Sequence, residues 1–170
     1  MDIKTLIRDV PNFPKPGINF KDITPLLKSP EALDHILGVW AKRYDDKKID
    51  VIVAMESRGF IFGAALANSI KVGFVPVRKP GKLPWKTFSE TYDLEYGQDT
   101  LQIHQDALKV GDRVVILDDV LATGGTAAAA IRLVEKVGGK VVEASFLMEL
   151  EFLKGRQKLK TTPVFSIIQF

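Results

Sequence analysis

Val114-Val115-Ile116-Leu117-Asp118-Asp119-Val120-Leu121-Ala122-Thr123-Gly124-Gly125-Thr126 is the stretch around which the chain is organised. The apolar run Val114 to Leu117 reads as a buried central strand of a parallel sheet. Two carboxylates close it. Ala-Thr-Gly-Gly-Thr follows, and then Ala127 to Ala130, Ile131, Leu133 and Val134, a run of high helix propensity. Strand, acidic pair, glycine turn and helix place a phosphate cradle where open α/β sheets hold their ligands. Backbone N–H groups at Gly124, Gly125 and the helix start are free to bind an anion, and the helix dipole favours one. Thr123 and Thr126 add hydroxyls. Asp118 and Asp119 repel a phosphate; their partners are sugar hydroxyls, which donate to carboxylates, or a hydrated Mg²⁺. The stretch describes a phosphorylated sugar lying across one turn.

Neither G-x-x-x-x-G-K-[ST] nor a G-x-G-x-x-G after a strand is present, so the common nucleotide-binding fingerprints do not apply. A second strand–loop–helix with anion-binding character lies upstream. Ile49 and Val51 to Val53 form a strand, Ala54-Met55-Glu56-Ser57-Arg58-Gly59 its loop, and Phe60 to Ala67 a helix. The Arg58 guanidinium can grip a pyrophosphate bidentately. Val72 to Val77 is a further strand, broken by Pro76. The basic segment Arg78-Lys79-Pro80-Gly81-Lys82-Leu83-Pro84-Trp85-Lys86-Thr87 then reads as a mobile flap able to close over a diphosphate. Thr91 to Tyr96 and Thr100 to His104 alternate around Gly97-Gln98-Asp99, a hairpin signal, with Glu95 near the turn where a carboxyl group could reach a bound base.

Of the remaining segments, Asp2 to Val10 carries Ile3, Leu6, Ile7 and Val10 at helical spacing and predicts a short amphipathic helix. Pro11, Pro14, Pro16 and Gly17 end it. Phe20 is either a core anchor or a platform for a flat ring. Ser29-Pro30-Glu31 starts a helix whose stripe is Leu33, Ile36, Leu37, Trp40, Ala41 and Tyr44. Neither His35 nor His104 carries a chemical role in this reading. Gly138-Gly139 is a C-cap, Val141 to Met148 a strand, Phe152 to Leu159 a short helix or loop, and Val164 to Ile168 a closing strand. Strands alternating with helices predict an α/β fold with a mostly parallel, doubly wound sheet.

At 170 residues the expected organisation is one domain, residues 1–170, with an N-terminal hood at 1–28 and a flap and hairpin at 78–104. The net charge of +3 is too small to argue for nucleic acid, and the absence of cysteine excludes a disulfide framework and thiolate catalysis. No apolar run approaches the ~20 residues of a membrane span, and the N-terminus shows no signal-peptide core. A cytoplasmic protein without membrane or nucleic-acid partners is expected.

The apolar strand, acidic pair, two variable residues and Thr-Gly-Gly-Thr resemble the phosphoribosyl pyrophosphate (PRPP) signature of the type I phosphoribosyltransferases. The resemblance extends to Phe-Pro-x-Pro-Gly-x-x-Phe near the start, Glu-Ser-Arg-Gly, Val-Arg-Lys-Pro-Gly-Lys-Leu-Pro, Leu-Glu-Tyr-Gly and the ending Phe165-Ser166-Ile167-Ile168. It is strongest to the members of that family that act on adenine, and it spans nearly the whole chain in order. It implies that Ala122, Thr123, Gly124, Gly125 and Thr126 bind the 5-phosphate, and Asp118 with Asp119 the ribose hydroxyls. Arg58, Arg78 and Lys82 would meet the pyrophosphate, with Mg²⁺ held mainly through PRPP and water. Phe20 and Val120 would sandwich adenine, with Lys21 beside it, and Glu95 would move a proton at the base. The implied products are AMP and pyrophosphate, and the implied assembly is a homodimer. Two alternatives are a family member using hypoxanthine, guanine or xanthine, and a non-catalytic sensor of PRPP or purine.

Overall fold

A computed structural model of the chain describes residues 1–94 and 97–170. They divide into two compact units, Met1–Trp40 and Ala41–Phe170. In the first, a 3-10 turn at Ile3–Leu6 is capped by the Asp2 carboxylate, which accepts from the Lys4 N–H. The backbone is extended from Ile7 onward, and β1 (Arg8–Pro11) pairs antiparallel with β2 (Asn19–Asp22). The helix expected over Asp2 to Val10 is therefore one short turn followed by a strand. Pairing of Val10 with Phe20 across the ladder wins over the apolar spacing, and Pro11 prevents a helix from growing. Phe13 meets the Phe20 ring edge-on at 5.2 Å, and Lys21 Nζ pairs with Asp9 Oδ1 at 2.5 Å. A short helix α1 (Thr24–Leu27) follows, and α2 (Pro30–Tyr44) spans the division between the units. Ser29 caps α2 as its sequence predicts, accepting from the Ala32 N–H at 3.2 Å.

The second unit is built on a five-stranded parallel sheet with order β4-β3-β7-β8-β9. Its strands are β3 (Val51–Met55), β4 (Gly73–Val77), β7 (Arg113–Leu121), β8 (Lys140–Glu149) and β9 (Val164–Gln169), and β5 (Thr87–Asp93) with β6 (Gln98–His104) forms a separate antiparallel hairpin. Helix α3 (Arg58–Ile70) connects β3 to β4, and α4 (Gly125–Val137) connects β7 to β8. These crossovers leave in opposite directions from adjacent strands, so right-handed connections put α3 and α4 on opposite faces. The doubly wound parallel expectation holds. Pro76, an obstacle in a central strand, sits in β4 at the sheet edge, where a missing N–H is tolerated.

Every residue of β3 is buried, as are Val114 to Leu117 of β7. Each buried Val, Ile, Leu or Met there contributes roughly 1.5–3 kcal/mol of transfer free energy, so the two strands that carry the site are firmly held. Gly63 brings α3 close over β3; a Cβ there would lie 2.7 Å from Ala54 Cβ. In the hairpin, Asp93 pairs with Gln98 and Tyr92 with Asp99, so Gln98 and Asp99 belong to the ladder and not to the turn expected over Gly97 to Asp99. The longer ladder aligns Tyr92, Leu101 and Ile103 on one buried face, which the loose alternation of the sequence did not reveal.

At the other end of the sheet, the buried Glu143 of β8 accepts from Arg43 Nε and Nη2 at 2.7 and 2.6 Å and from the Tyr44 hydroxyl at 2.8 Å. Burial pushes the Glu143 carboxyl up, but the Arg43 and Tyr44 hydrogen bonds outweigh it and hold it below the ordinary value of 4.5. A carboxylate depressed in the fold stabilises above its unfolded pKa and ceases to do so as the pH falls through the folded one. Glu143→Gln is expected to cost about 2–3 kcal/mol at pH 7, less than a wholly buried pair because Arg43 stays partly exposed. Denaturant melts from pH 7 to pH 3 check this: the penalty should shrink on acidification, and a pH-independent penalty refutes the charge argument.

Candidate active site

The site lies at the carboxyl ends of β3 and β7, where the chain leaves neighbouring strands in opposite directions. Such a switch point is the natural crevice of an open parallel sheet. The register Val51↔Val114 to Ala54↔Leu117 brings Glu56, Ser57 and Arg58 beside Asp118 and Asp119. Gly59 makes the approach possible: a Cβ there would stand 2.8 Å from Asp118 Oδ1 and 3.1 Å from the Leu117 carbonyl. The result is a cleft of about 460 Å³ lined by both loops, the turn after β7 and part of the β5–β6 hairpin.

Asp119 is 2% exposed and its Oδ2 lies 2.7 Å from Arg58 Nε, an ion pair without the angle of a hydrogen bond. Asp118 accepts from the Asp119 N–H at 2.9 Å. Burial, and then the neighbouring Asp119 charge, push the Asp118 carboxyl well above its ordinary value; burial also raises Asp119, opposed by Arg58. Two carboxylates held this way are poorly solvated and receptive to hydroxyl donors.

The turn after β7 is shaped by Gly124, whose φ is +81°. The first intrahelical bond of α4 runs from the Ala128 N–H to the Gly124 carbonyl, so the N–H groups of Gly125, Thr126 and Ala127 have no acceptor within the helix, and Gly124 supplies no side-chain cap. Ala122, Thr123, Gly124 and Thr126 line the cleft, Thr123 exposed and Gly124 buried. Gly125 packs beneath: a Cβ there would lie 3.2 Å from the Tyr92 ring. An anion of phosphate size matches these donors and the positive end of a thirteen-residue helix.

Of the other residues singled out from sequence, Arg58 and Val120 line the cleft. Arg78 and Lys82 are outside its lining. Arg78 Nε donates to Glu56 Oε2 at 2.6 Å, its backbone bridges to Gln102, and Lys82 is exposed. Burial raises the Glu56 carboxyl, but the Lys79 N–H and the Arg78 guanidinium outweigh it and leave it lowered. The cation of the basic segment that does face the cleft is Lys79, paired with Asp99. Asp99 also accepts from the Tyr92 hydroxyl at 3.2 Å, and Tyr92 accepts from the Thr126 hydroxyl at 3.3 Å. Lys79 was legible only as one of several cations, Tyr92 carried no sequence signal beyond strand alternation, and Asp99 read as part of the hairpin turn, whereas it pairs with Tyr92 in the ladder. Phe20 and Lys21 belong to β2 of the first unit, and Glu95 lies outside the described residues. Among the described residues no cluster of three or more His, Cys, Asp or Glu forms a metal cage, and no helix is long and apolar enough to cross a membrane.

A cleft that offers an anion cradle, an acidic pair of which Asp119 is buried, and an arginine at one switch point suits a phosphorylated sugar. The chain matches the family model of the phosphoribosyl transferase domain over residues 22–168. It belongs to the phosphoribosyltransferase family. An adenine phosphoribosyltransferase of Roseiflexus sp. (strain RS-1) is 56% identical over 169 residues, covering 99% of this chain and 98% of that one. The crystal structure of adenine phosphoribosyltransferase from Thermoanaerobacter pseudethanolicus matches with a TM-score of 0.97 and 55% identity, over 99% of this chain and 98% of that one. The Saccharomyces cerevisiae adenine phosphoribosyltransferase, complexed with D-2,5-dideoxy-2,5-imino-altritol 1,6-bisphosphate and adenine, matches at 0.92 with 46% identity, over 97% and 96%.

Proposed function

We propose that this chain transfers the 5-phosphoribosyl group of PRPP to adenine, giving AMP and pyrophosphate. The observation that carries the reading is the juxtaposition, in one cleft, of the uncapped turn at Gly124 with the Asp118–Asp119 pair and Arg58. The full-length similarity to adenine phosphoribosyltransferases supports the base.

In this reading Ala122 to Thr126 bind the 5-phosphate through backbone N–H groups and two threonine hydroxyls. Asp118 and Asp119 accept from the ribose hydroxyls. Arg58 and Lys79 stand on the pyrophosphate side, with Arg78 and Lys82 assigned there by resemblance. Val120, and from the first unit Phe20 and Lys21, are assigned to adenine on the same ground. Breaking the bond from the ribose C1 to pyrophosphate builds positive charge on the ring and negative charge on the leaving group. The carboxylates steady the first and the cations the second, fixed in place before the charge develops. The donor set fits a Mg²⁺ carried in with the diphosphate: Asp118 would face it, and among the described residues no cluster of three or more His, Cys, Asp or Glu forms a cage. When bound, Mg²⁺ neutralises leaving-group charge. By resemblance, the flap and hairpin, residues 78–104, are assigned to excluding water and the hood, residues 1–28, to the base. The working assembly is a cytoplasmic homodimer, as the resemblance implies.

Pyrophosphate release from PRPP and Mg²⁺, measured with adenine, hypoxanthine, guanine and xanthine in parallel, tests the proposal. Release with adenine alone, with AMP as product, is expected. Release with a 6-oxopurine instead overturns the base, and PRPP binding without release overturns the enzyme. Glu95→Ala should lower turnover on the order of 100-fold, as loss of a general acid or base does, with little change in PRPP affinity. Unchanged kcat in steady-state assays removes Glu95 from the mechanism.

A further inference from the structure

The turn that would hold the phosphate has a backing outside the cleft. β8 ends at Glu149, which is 3% exposed. Arg156, the first residue of α5 (Arg156–Leu159), donates from Nε and Nη2 to the two Glu149 carboxylate oxygens at 2.7 and 2.6 Å. Ser166 of β9 donates to the same carboxylate at 2.9 Å, and Arg156 Nη1 donates to the Val164 carbonyl at 3.0 Å. The pair thus ties α5 to two strands at once.

Gly155 immediately precedes Arg156 and is buried directly behind the turn. A Cβ on Gly155 would lie 2.3 Å from the Ala122 carbonyl oxygen and 3.1 Å from the Gly124 nitrogen; a Cβ on Gly124 would lie 2.4 Å from the Gly155 carbonyl oxygen. Two glycine backbones are in contact with no room for a side chain on either. None of Glu149, Arg156 and Ser166 lines the cleft.

We propose that Glu149 and Arg156 are positioning residues for phosphate binding: their bidentate pair seats Gly155 against Ala122 and Gly124 and keeps the turn's N–H groups converging on one point. The effect follows from geometry. Donors at a helix start act on an anion only while they aim at a common position, and displacement of the supporting backbone by about 1 Å is costly there. The inference rests on the phosphoribosyl reading of the turn, because it names the 5-phosphate as the group that senses the displacement.

Kinetics with PRPP and adenine varied separately, and titration of ribose 5-phosphate without a base, test it. Glu149→Gln should raise the KM for PRPP about tenfold and weaken ribose 5-phosphate to a similar degree, with the KM for adenine and kcat changed less than ~3-fold. Arg156→Lys, which keeps the charge but loses the fork, should show a smaller rise than Arg156→Met. Ser166→Ala leaves the ion pair in place and serves if Glu149→Gln fails to fold; it should shift PRPP in the same direction by about 2-fold. A Glu149→Gln protein with a lowered melting temperature but unchanged PRPP and ribose 5-phosphate affinities overturns the proposal, as does an equal rise in both KM values. Wild-type protein that releases no pyrophosphate with any base overturns the phosphoribosyl reading. The ribose 5-phosphate titration still decides the role of the pair in that event.

Discussion

Gly124→Ala is expected to lower kcat/KM for PRPP by about 100-fold or more while the central sheet stays folded. At φ +81° an alanine is strained by roughly 1–2 kcal/mol. The added Cβ would also stand 2.4 Å from the Gly155 carbonyl oxygen, 3.1 Å from its carbonyl carbon and 3.2 Å from its Cα. All three contacts are backbone atoms, so no side chain can rotate away. The turn must move off its backing and carry its N–H groups with it. The change lies at a loop–helix junction rather than in β7, so circular dichroism should show a native spectrum and a melting point only a few degrees lower, roughly as 1–2 kcal/mol implies. A variant within tenfold of wild-type kcat/KM for PRPP would show that the turn tolerates displacement and is not the phosphate site.

Asp118→Asn should do two opposite things: stabilise the ligand-free protein and remove most of its activity. The Asp118 carboxyl is raised well above its ordinary value by burial and by the Asp119 charge. A carboxyl group raised in the fold is one whose ionised form the fold disfavours. Its cost is full above the folded value and is lost progressively as the pH falls from there to the unfolded value. Asparagine is neutral throughout, keeps an oxygen for the Asp119 N–H, and should add about 1 kcal/mol at pH 7. The same change removes the negative charge beside the ribose and turns one acceptor oxygen into a donor, so kcat/KM should fall on the order of 100-fold. Urea melts and steady-state kinetics on one preparation check both halves. A destabilised protein, or one of normal activity, refutes the account.

How much of this was legible beforehand differs between elements for physical reasons. β7, the acidic pair and the glycine turn were readable because burial, like-charge adjacency and left-handed backbone each restrict residue type strongly. The same holds for the Ser29 cap and the Gly138 C-cap, whose φ is +106°. The first ten residues misread as helix because an apolar spacing of three and four does not exclude a strand when Pro11 and a partner strand are near. The division of labour within the basic segment was invisible: Lys79 faces the cleft while Arg78 binds Glu56, a distinction set by the backbone bridge from Arg78, just after β4, to Gln102 of β6. Gly155 gave no signal at all. Its importance comes from two backbones touching, and nothing local to Lys154-Gly155-Arg156 announces a partner thirty residues earlier.

The ion pair between Arg58 and Asp119 also bears on selectivity among ligands. Before any ligand arrives, the two groups are already charge-paired at 2.7 Å, with the carboxylate buried and its Oδ2 still without a hydrogen bond. A free diphosphate that draws the guanidinium away strands an acid without solvent. A free sugar whose hydroxyls occupy the acid shares the carboxylate's accepting capacity with the guanidinium and offers the guanidinium nothing in return. On the proposed reading, only a molecule carrying both groups compensates both losses in one event, so the cleft would respond to a conjunction and bind either half with a handicap. On the proposed reaction the two halves are severed from each other, and each product then meets that handicap alone. Release is favoured by the same pair that made the intact substrate fit.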